Sequence, residues 1–104
     1  MEKRLTLEEF ILFINLRQIV FSSFSTRHHS SYLSFHAKGY LPVFELGIGI
    51  IFTGSYDGNF VTFSYQVDMQ DIRILPSHNV FNNLIEELNR FNSQKRGSNS
   101  NNNI

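Results

Sequence analysis

The chain of 104 residues contains no cysteine and no tryptophan, and it has only two prolines. Without cysteine it can form neither a disulfide nor a cysteine-ligated metal site, which fits a reducing compartment. It also lacks the run of about twenty apolar residues that a membrane-spanning helix needs. The apolar run from Phe10 to Ile14 is too short for the centre of a signal peptide. These absences predict a soluble cytoplasmic protein that has no contact with a membrane.

An excess of charge is also absent, since nine Lys and Arg residues balance nine Asp and Glu residues. Zero net charge removes the usual electrostatic reason to expect DNA, RNA or an anionic membrane as a partner. It also weakens self-repulsion and so favours self-association. Aromatic residues are abundant instead, with eleven Phe and four Tyr. At this length they predict one domain with a substantial core.

The clearest pattern is a long β-hairpin from Pro42 to Met69, closed at Asp57-Gly58. Apolar residues alternate on both sides of this turn, which is a strong hairpin signal. With Asp57 and Gly58 as the two turn residues, the predicted pairs are Phe52 with Phe63, Ile50 with Tyr65, Ile48 with Val67 and Leu46 with Met69. All of these side chains then lie on one face, so the sheet is expected to be antiparallel and covered on one side.

Two further strands are predicted before this hairpin, over residues 19–26 and 31–37, with a turn at Arg27 to Ser30. Lys38 to Pro42 is predicted to be a loop, because proline does not donate to a strand ladder. The predicted pairs across this loop are Leu33 with Ile48, Phe35 with Leu46 and Ala37 with Phe44. This pairing again places the apolar side chains on the covered face.

A helix is predicted at each end of the chain. Thr6 and Glu9 form a capping box, which predicts a first helix over residues 6–16. Its interior is apolar on all sides, so it is expected to be enclosed by the domain or covered by another chain. The second helix is capped by Ser77 or Asn79 and carries a stripe at helical spacing. That stripe consists of Val80, Phe81, Leu84, Ile85, Leu88 and Phe91.

The predicted fold is therefore a two-layer α+β domain, a four-stranded antiparallel β-meander with an N-terminal and a C-terminal helix on one face (α-β-β-β-β-α). The domain spans residues 1–92. Residues 93–104 are small, polar and repetitive, and they predict a disordered tail.

The side of the sheet away from the helices, here called the outer face, is predicted to be largely polar and holds the candidate binding residues. In the predicted register Tyr32 lies opposite Gly49, so its ring either fills the gap left by the glycine or leaves a groove for a partner. His36 is expected in a row with Glu45 and Gln70, and Ser34 in the next row with Gly47 and Asp68. The predicted partner-binding residues are Tyr32, His36, Glu45, Gly47, Gly49 and Asp68.

Other chemistry is weighed and set aside. Gly47-Ile48-Gly49 lacks the third glycine and the Lys-Ser/Thr pair of a phosphate-binding loop, so no cofactor is predicted. His28 and His29 are adjacent in the chain and point in opposite directions in an extended segment, so with His36 they do not predict a metal site. A histidine next to a carboxylate on a flat, solvated sheet is usually a salt bridge, and no catalytic residues are predicted.

The sequence thus predicts a small non-enzymatic protein-interaction module, of inhibitor, immunity or accessory type. It is expected to bind a protein partner through the outer face and to form a homodimer. The alternative is a single-stranded nucleic-acid-binding protein that uses the same face. An enzyme ranks third, since it would need a deep pocket that encloses His36 together with Asp68 or Glu45.

Overall fold

Five antiparallel strands and two helices form the structure, a computed structural model that describes residues 2–43, 46–72 and 79–101. The elements are β1 (Glu2–Thr6), α1 (Leu7–Leu16), β2 (Val20–His28), β3 (Leu33–Val43), β4 (Leu46–Tyr56), β5 (Phe60–Ile72) and α2 (Phe81–Asn101). The strand order is β1-β5-β4-β3-β2. The α+β class and the antiparallel sheet are confirmed. The predicted count of four strands is wrong, because β1 precedes the first helix.

β1 pairs with β5 from Glu2 opposite Ser64 to Thr6 opposite Phe60. Sequence analysis missed this strand because it is short and mostly polar, with Leu5 as its one large apolar side chain. Short, charged edge strands are a common means of discouraging unwanted pairing. Alternation of apolar residues is therefore a weak signal at a sheet edge.

α1 begins and ends almost where the capping box predicts. The Thr6 hydroxyl accepts a hydrogen bond from the Glu9 backbone N–H at 3.2 Å, and the Thr6 N–H donates to Glu9 Oε1 at 3.0 Å. Phe10 and Ile14 are fully buried, whereas Leu12 and Leu16 are 56% and 70% exposed. The part of the chain that the structure describes therefore does not enclose this helix.

The β3–β4 hairpin turns later than predicted, and Lys38 to Pro42 belongs to β3 instead of a loop. Ala37 lies opposite Phe52, eight residues along β4 from the predicted Phe44. The same correction applies to the other two pairs, since Leu33 lies opposite Tyr56 and Phe35 opposite Gly54. A shift by an even number of residues leaves every side chain on its predicted face.

The β4–β5 hairpin is also shifted, by two residues, so that Phe52 lies opposite Tyr65. Its turn has three residues instead of two. The Asp57 side chain accepts hydrogen bonds from the backbone N–H groups of Asn59 and Phe60, both at 2.8 Å, and Gly58 has a positive φ of 98°. An Asp that accepts from the N–H two residues on is a common turn device, and glycine adopts a positive φ at little cost.

The core lies between one face of the sheet and both helices. The Phe10 ring is 5.0 Å from that of Phe63 and 6.0 Å from that of Phe81. The predicted inward residues of β3 (Leu33, Phe35, Ala37) and four residues of the α2 stripe (Phe81, Leu84, Leu88, Phe91) are buried. Both helices contribute to this core.

The start of α2 is tied to the edge strand β2. Asn79 Oδ1 accepts hydrogen bonds from the N–H groups of Phe81 and Phe21, both at 3.1 Å. The Val80 N–H also donates to the Phe21 carbonyl at 2.8 Å. Asn79, one of the two predicted caps, therefore joins a helix start to a sheet edge, whereas Ser77 lies outside the described residues.

At its other end α2 continues to Asn101, so the structure assigns Ser93 to Asn101 to a helix where the sequence predicts a disordered tail. Residues 102–104 lie outside the described residues. The division into a domain of residues 1–92 and a separate tail stays a prediction.

Candidate functional site

The candidate site is the outer face of the sheet. Both helices pack on the opposite face, and none of the described elements lies over this one. Strand pairing arranges its described side chains in three rows: Arg27, Ser34, Ser55, Thr62 and Arg4; Ser25, His36, Thr53, Ser64 and Glu2; and Ser23, Lys38, Ile51 and Gln66. Half of these side chains are Ser or Thr, so the face is rich in hydroxyl groups.

The charges in these three rows are mainly positive. Arg4, Arg27 and Lys38 are basic, and Glu2 is acidic. The Arg4 guanidinium lies 4.2 Å from the centre of the Phe60 ring, a cation–π contact at the β1 side of the sheet. Arg27 and Lys38 are exposed, and neither has a carboxylate partner in the part of the chain that the structure describes. Although the whole chain is neutral, these three rows have a local excess of positive charge.

Hydrogen bonds on this face are local. The Ser34 hydroxyl lies 3.0 Å from Nε2 of His29. The Ser34 hydroxyl donates to the Arg27 carbonyl at 3.4 Å, and His36 Nδ1 lies 3.4 Å from Thr53 Oγ1. At the bulged start of β2 the Ser22 hydroxyl donates to the Lys38 carbonyl at 3.1 Å. Most hydroxyls on the face are thus free to exchange water for a partner.

Two shallow concavities mark the face. One of about 220 Å³ is lined by Ser25, Arg27, Ser34, His36 and Thr53, among others. The other, of about 150 Å³, lies around Lys38, Tyr40 and Gly49 at the bulge of β2. Small-molecule pockets usually measure about 300–1,000 Å³, so both concavities suit single side chains of a docked surface better than a whole ligand.

The predicted rows of the site are wrong because both hairpin registers are shifted. His36 lies between Ser25 and Thr53, not beside Gln70. Asp68 lies opposite Gly49, four residues along β4 from Thr53, or about 13 Å from the row of His36. The structure therefore does not bring His36 and Asp68 together, and Glu45 lies outside the described residues.

Tyr32 is also misplaced by the prediction. It precedes β3, at the far end of the sheet from Gly49, and its ring stacks on that of His29 at 4.2 Å. The residue opposite Gly49 is Tyr40 instead of the predicted Tyr32, and Gly49 itself is buried. Gly47 lies opposite Pro42 on β3 and Ile72 on β5. The described members of the predicted set thus spread along the sheet instead of forming one cluster.

Sequence analysis missed the three basic residues of this face. The sequence predicts Arg27 in a turn, Lys38 in a loop and Arg4 in front of the first helix. All three belong to strands and have exposed side chains. The available signal was their alternation with inward residues, Lys38 with Ala37 and Gly39 for example, but the early end assigned to β3 concealed it.

Neither described helix is long and apolar enough to cross a membrane. Within the same residues no group of three or more His, Asp or Glu side chains is placed to hold a metal ion. No protein-family model, curated protein or solved structure matches this chain.

Proposed function

We propose that this protein is a small, non-enzymatic interaction module of inhibitor, immunity or accessory type that binds a protein partner through its outer face and works as a homodimer in the cytoplasm. The observation that carries the proposal is a sheet face that no described element covers. Five strands about 4.8 Å apart, with about eight residues of 3.3 Å each, give a face of roughly 600 Å². This approaches the 800 Å² or so that each partner contributes to a standard interface.

The chemistry of the face indicates an acidic partner surface. Arg27 and Lys38 are exposed and lack described carboxylate partners, so a carboxylate of the partner would gain a charge-assisted hydrogen bond without breaking an existing pair. Arginine and tyrosine are also the residue types that often dominate interface energies. Arg27 and Tyr40, next to the two concavities, are the expected anchors. The mechanism is occlusion of the partner by a flat, complementary surface.

A charge-reversed variant, Arg27→Glu with Lys38→Glu, tests this proposal. Both side chains are exposed, so we expect the fold to persist while capture of a partner from lysate of the native host is lost. Arg90→Glu is the matched control, because Arg90 is equally basic and exposed but belongs to α2 on the other layer. Proteins captured by the wild type and by Arg90→Glu but not by the double variant support the proposal. Equal capture by all three contradicts it.

A specific observation also favours the alternative, binding of single-stranded nucleic acid. The outer face combines the basic residues Arg4, Arg27 and Lys38 with two aromatic residues, Tyr40 and Phe60. Bases stack on aromatic rings while cations contact phosphates. Three phosphate contacts would give a slope of about −2 for log affinity against log salt. Fluorescence anisotropy of a labelled mixed-sequence oligonucleotide at several salt concentrations measures that slope, and no binding at low salt excludes this alternative.

A further inference from the structure

β5 is paired on both sides over only part of its length. β1 covers its first five residues, from Phe60 to Ser64. From Tyr65 to Ile72 the strand pairs with β4 on one side, with a register shift between Asp68 and Asp71. On the other side none of the described residues pairs with it. This segment, the free edge, leaves a row of backbone N–H and C=O groups able to bind another strand.

β1 and the start of β2 are protected parts of the sheet edge. β1 is short and carries Lys3 and Arg4. At the start of β2, Phe21 is bonded through both its N–H and its carbonyl to the residues that precede α2. The free edge contains neither Lys, Arg nor Pro, whereas the rest of β2 carries Arg27. Its charged residues are Asp68 and Asp71. We expect strand addition at this edge because exposed apolar side chains accompany it.

Apolar side chains accompany the free edge. Tyr65 and Val67 are 36% and 43% exposed, although their positions face the helix side of the sheet. They line a small cavity of about 100 Å³ together with Phe13 and Arg17 of the α1 end and neighbouring strand residues. Exposed apolar side chains of this kind are unusual at a solvent-exposed sheet edge. A second strand with its own apolar side chains would cover them.

The charges along the free edge identify the occupant. At the Tyr65 end, the Arg17 guanidinium lies 3.8 Å and Lys3 Nζ 5.7 Å from the centre of the Phe13 ring, so this end is basic. Toward the other end, β5 has Asp71 opposite Ile48, a position on the helix side of the sheet like those of Tyr65 and Val67, whereas Asp68, opposite Gly49, belongs to the outer face. Two copies that pair antiparallel bring the basic end of each next to the acidic end of the other. The edge is thus complementary to itself.

We propose that two copies of this chain pair through the free edge, β5 against β5 and antiparallel about a twofold axis. The sheet then continues through both copies, and because the axis is perpendicular to the sheet, both outer faces lie on the same side. This interface deepens the proposed function by naming the surface of its homodimer. The paired protein presents two partner-binding faces in one continuous surface, which is the isologous arrangement typical of dimers.

Distances between spin labels test the interface directly, because the chain has no cysteine and a single introduced one is unique. Labels at Gln66→Cys, on an exposed residue of the free edge, should be close to each other, because the two strands are one spacing of about 4.8 Å apart and the offset along them is about five residues of 3.3 Å; we expect less than about 25 Å between the labels. Labels at Ser23→Cys, the matched control on β2, should be separated by about seven spacings or 34 Å or more. Close Ser23 labels, or no dipolar coupling between Gln66 labels, overturn the proposal.

Sedimentation gives an independent readout. Val67→Lys places a charge on an exposed side chain and should convert a dimer to a monomer with unchanged circular dichroism, whereas Ser23→Lys should stay dimeric. If Val67→Lys does not fold, the distances between the spin labels decide whether the two copies pair through the free edge. A wild-type protein that is monomeric at about 100 μM overturns the proposed pairing of two copies. This holds also if the free edge is found to bind a strand of a different protein. Partner capture by a monomer would leave the outer-face proposal standing, so the two failures are distinguishable.

Discussion

The backbone of β2 lies close to Gly39 of β3, and substitution of this glycine is the most informative test of the register. A Cβ atom at this position would lie 2.2 Å from the Val20 carbonyl oxygen, 3.1 Å from its carbon and 3.2 Å from Phe21 Cα. All three are backbone atoms, so no side chain can rotate away. The strands would have to separate by about 1.2 Å to restore the 3.4 Å of ordinary contact. We expect Gly39→Ala to be strongly destabilising.

The magnitude follows from what that separation disrupts. Overpacking a tight site costs about 1–3 kcal/mol. The same movement loosens the β2 bulge at Phe21 and the 2.8 Å hydrogen bond from the Val80 N–H, and each weakened hydrogen bond is worth about 1 kcal/mol. The expected loss in the free energy of unfolding is therefore about 2–4 kcal/mol. For a domain of this size, that lowers Tm by at least about 8 °C.

Urea unfolding followed by far-ultraviolet circular dichroism measures this loss, with exposed Ser23→Ala as the control, expected within about 0.5 kcal/mol of wild type. If Lys38 to Pro42 were the loop that the sequence predicts, Gly39→Ala would change the free energy of unfolding in the opposite direction. In an open loop Gly→Ala stabilises by about 0.4–1 kcal/mol, because it restricts the unfolded chain. A Gly39→Ala variant as stable as the wild type, or more stable, would refute the close approach of β2 and β3.

Three further changes test other parts of the structure. Asn79→Ala removes an acceptor from two backbone N–H groups and should cost about 1–2 kcal/mol in urea unfolding, whereas exposed Asn82→Ala should cost less than about 0.5 kcal/mol. Phe10→Ala, in the fully buried centre, should cost about 3–5 kcal/mol, and a cost similar to that of exposed Leu12→Ala would contradict the burial of Phe10. The pKa of Glu9 is lowered by hydrogen bonds from the Thr6 backbone N–H and hydroxyl, so this cap stabilises the fold above the unfolded pKa of about 4.5 and its effect is lost as pH falls through the lower folded value. Thr6→Ala removes the hydroxyl and keeps the backbone N–H, so it should raise the Glu9 pKa part of the way toward 4.5 in a titration followed by NMR, and no change would show that the hydroxyl does not contribute.

Local chemistry was readable from the sequence. The capping box of Thr6 and Glu9 placed α1, because both partners lie within three residues of each other and need no other part of the chain. The faces of β3, β4 and β5 were also predicted correctly, since the alternation of side chains is a property of each strand by itself. The apolar stripe of α2 and the cap at Asn79 are also local features that the sequence predicts.

The tertiary structure decided which residues become neighbours across strands. A slip by two or eight residues keeps every apolar side chain inward, so alternation alone does not distinguish one even register from another. The backbone approach at Gly39 and the pairing of Val43 with Leu46 belong to the observed register, which brings His36 beside Ser25 and Thr53. β1 forms because β5 offers an edge to a short polar segment, and that contact lies almost sixty residues away along the chain. The faces therefore followed from local alternation, whereas the composition of the outer face depended on long-range pairing.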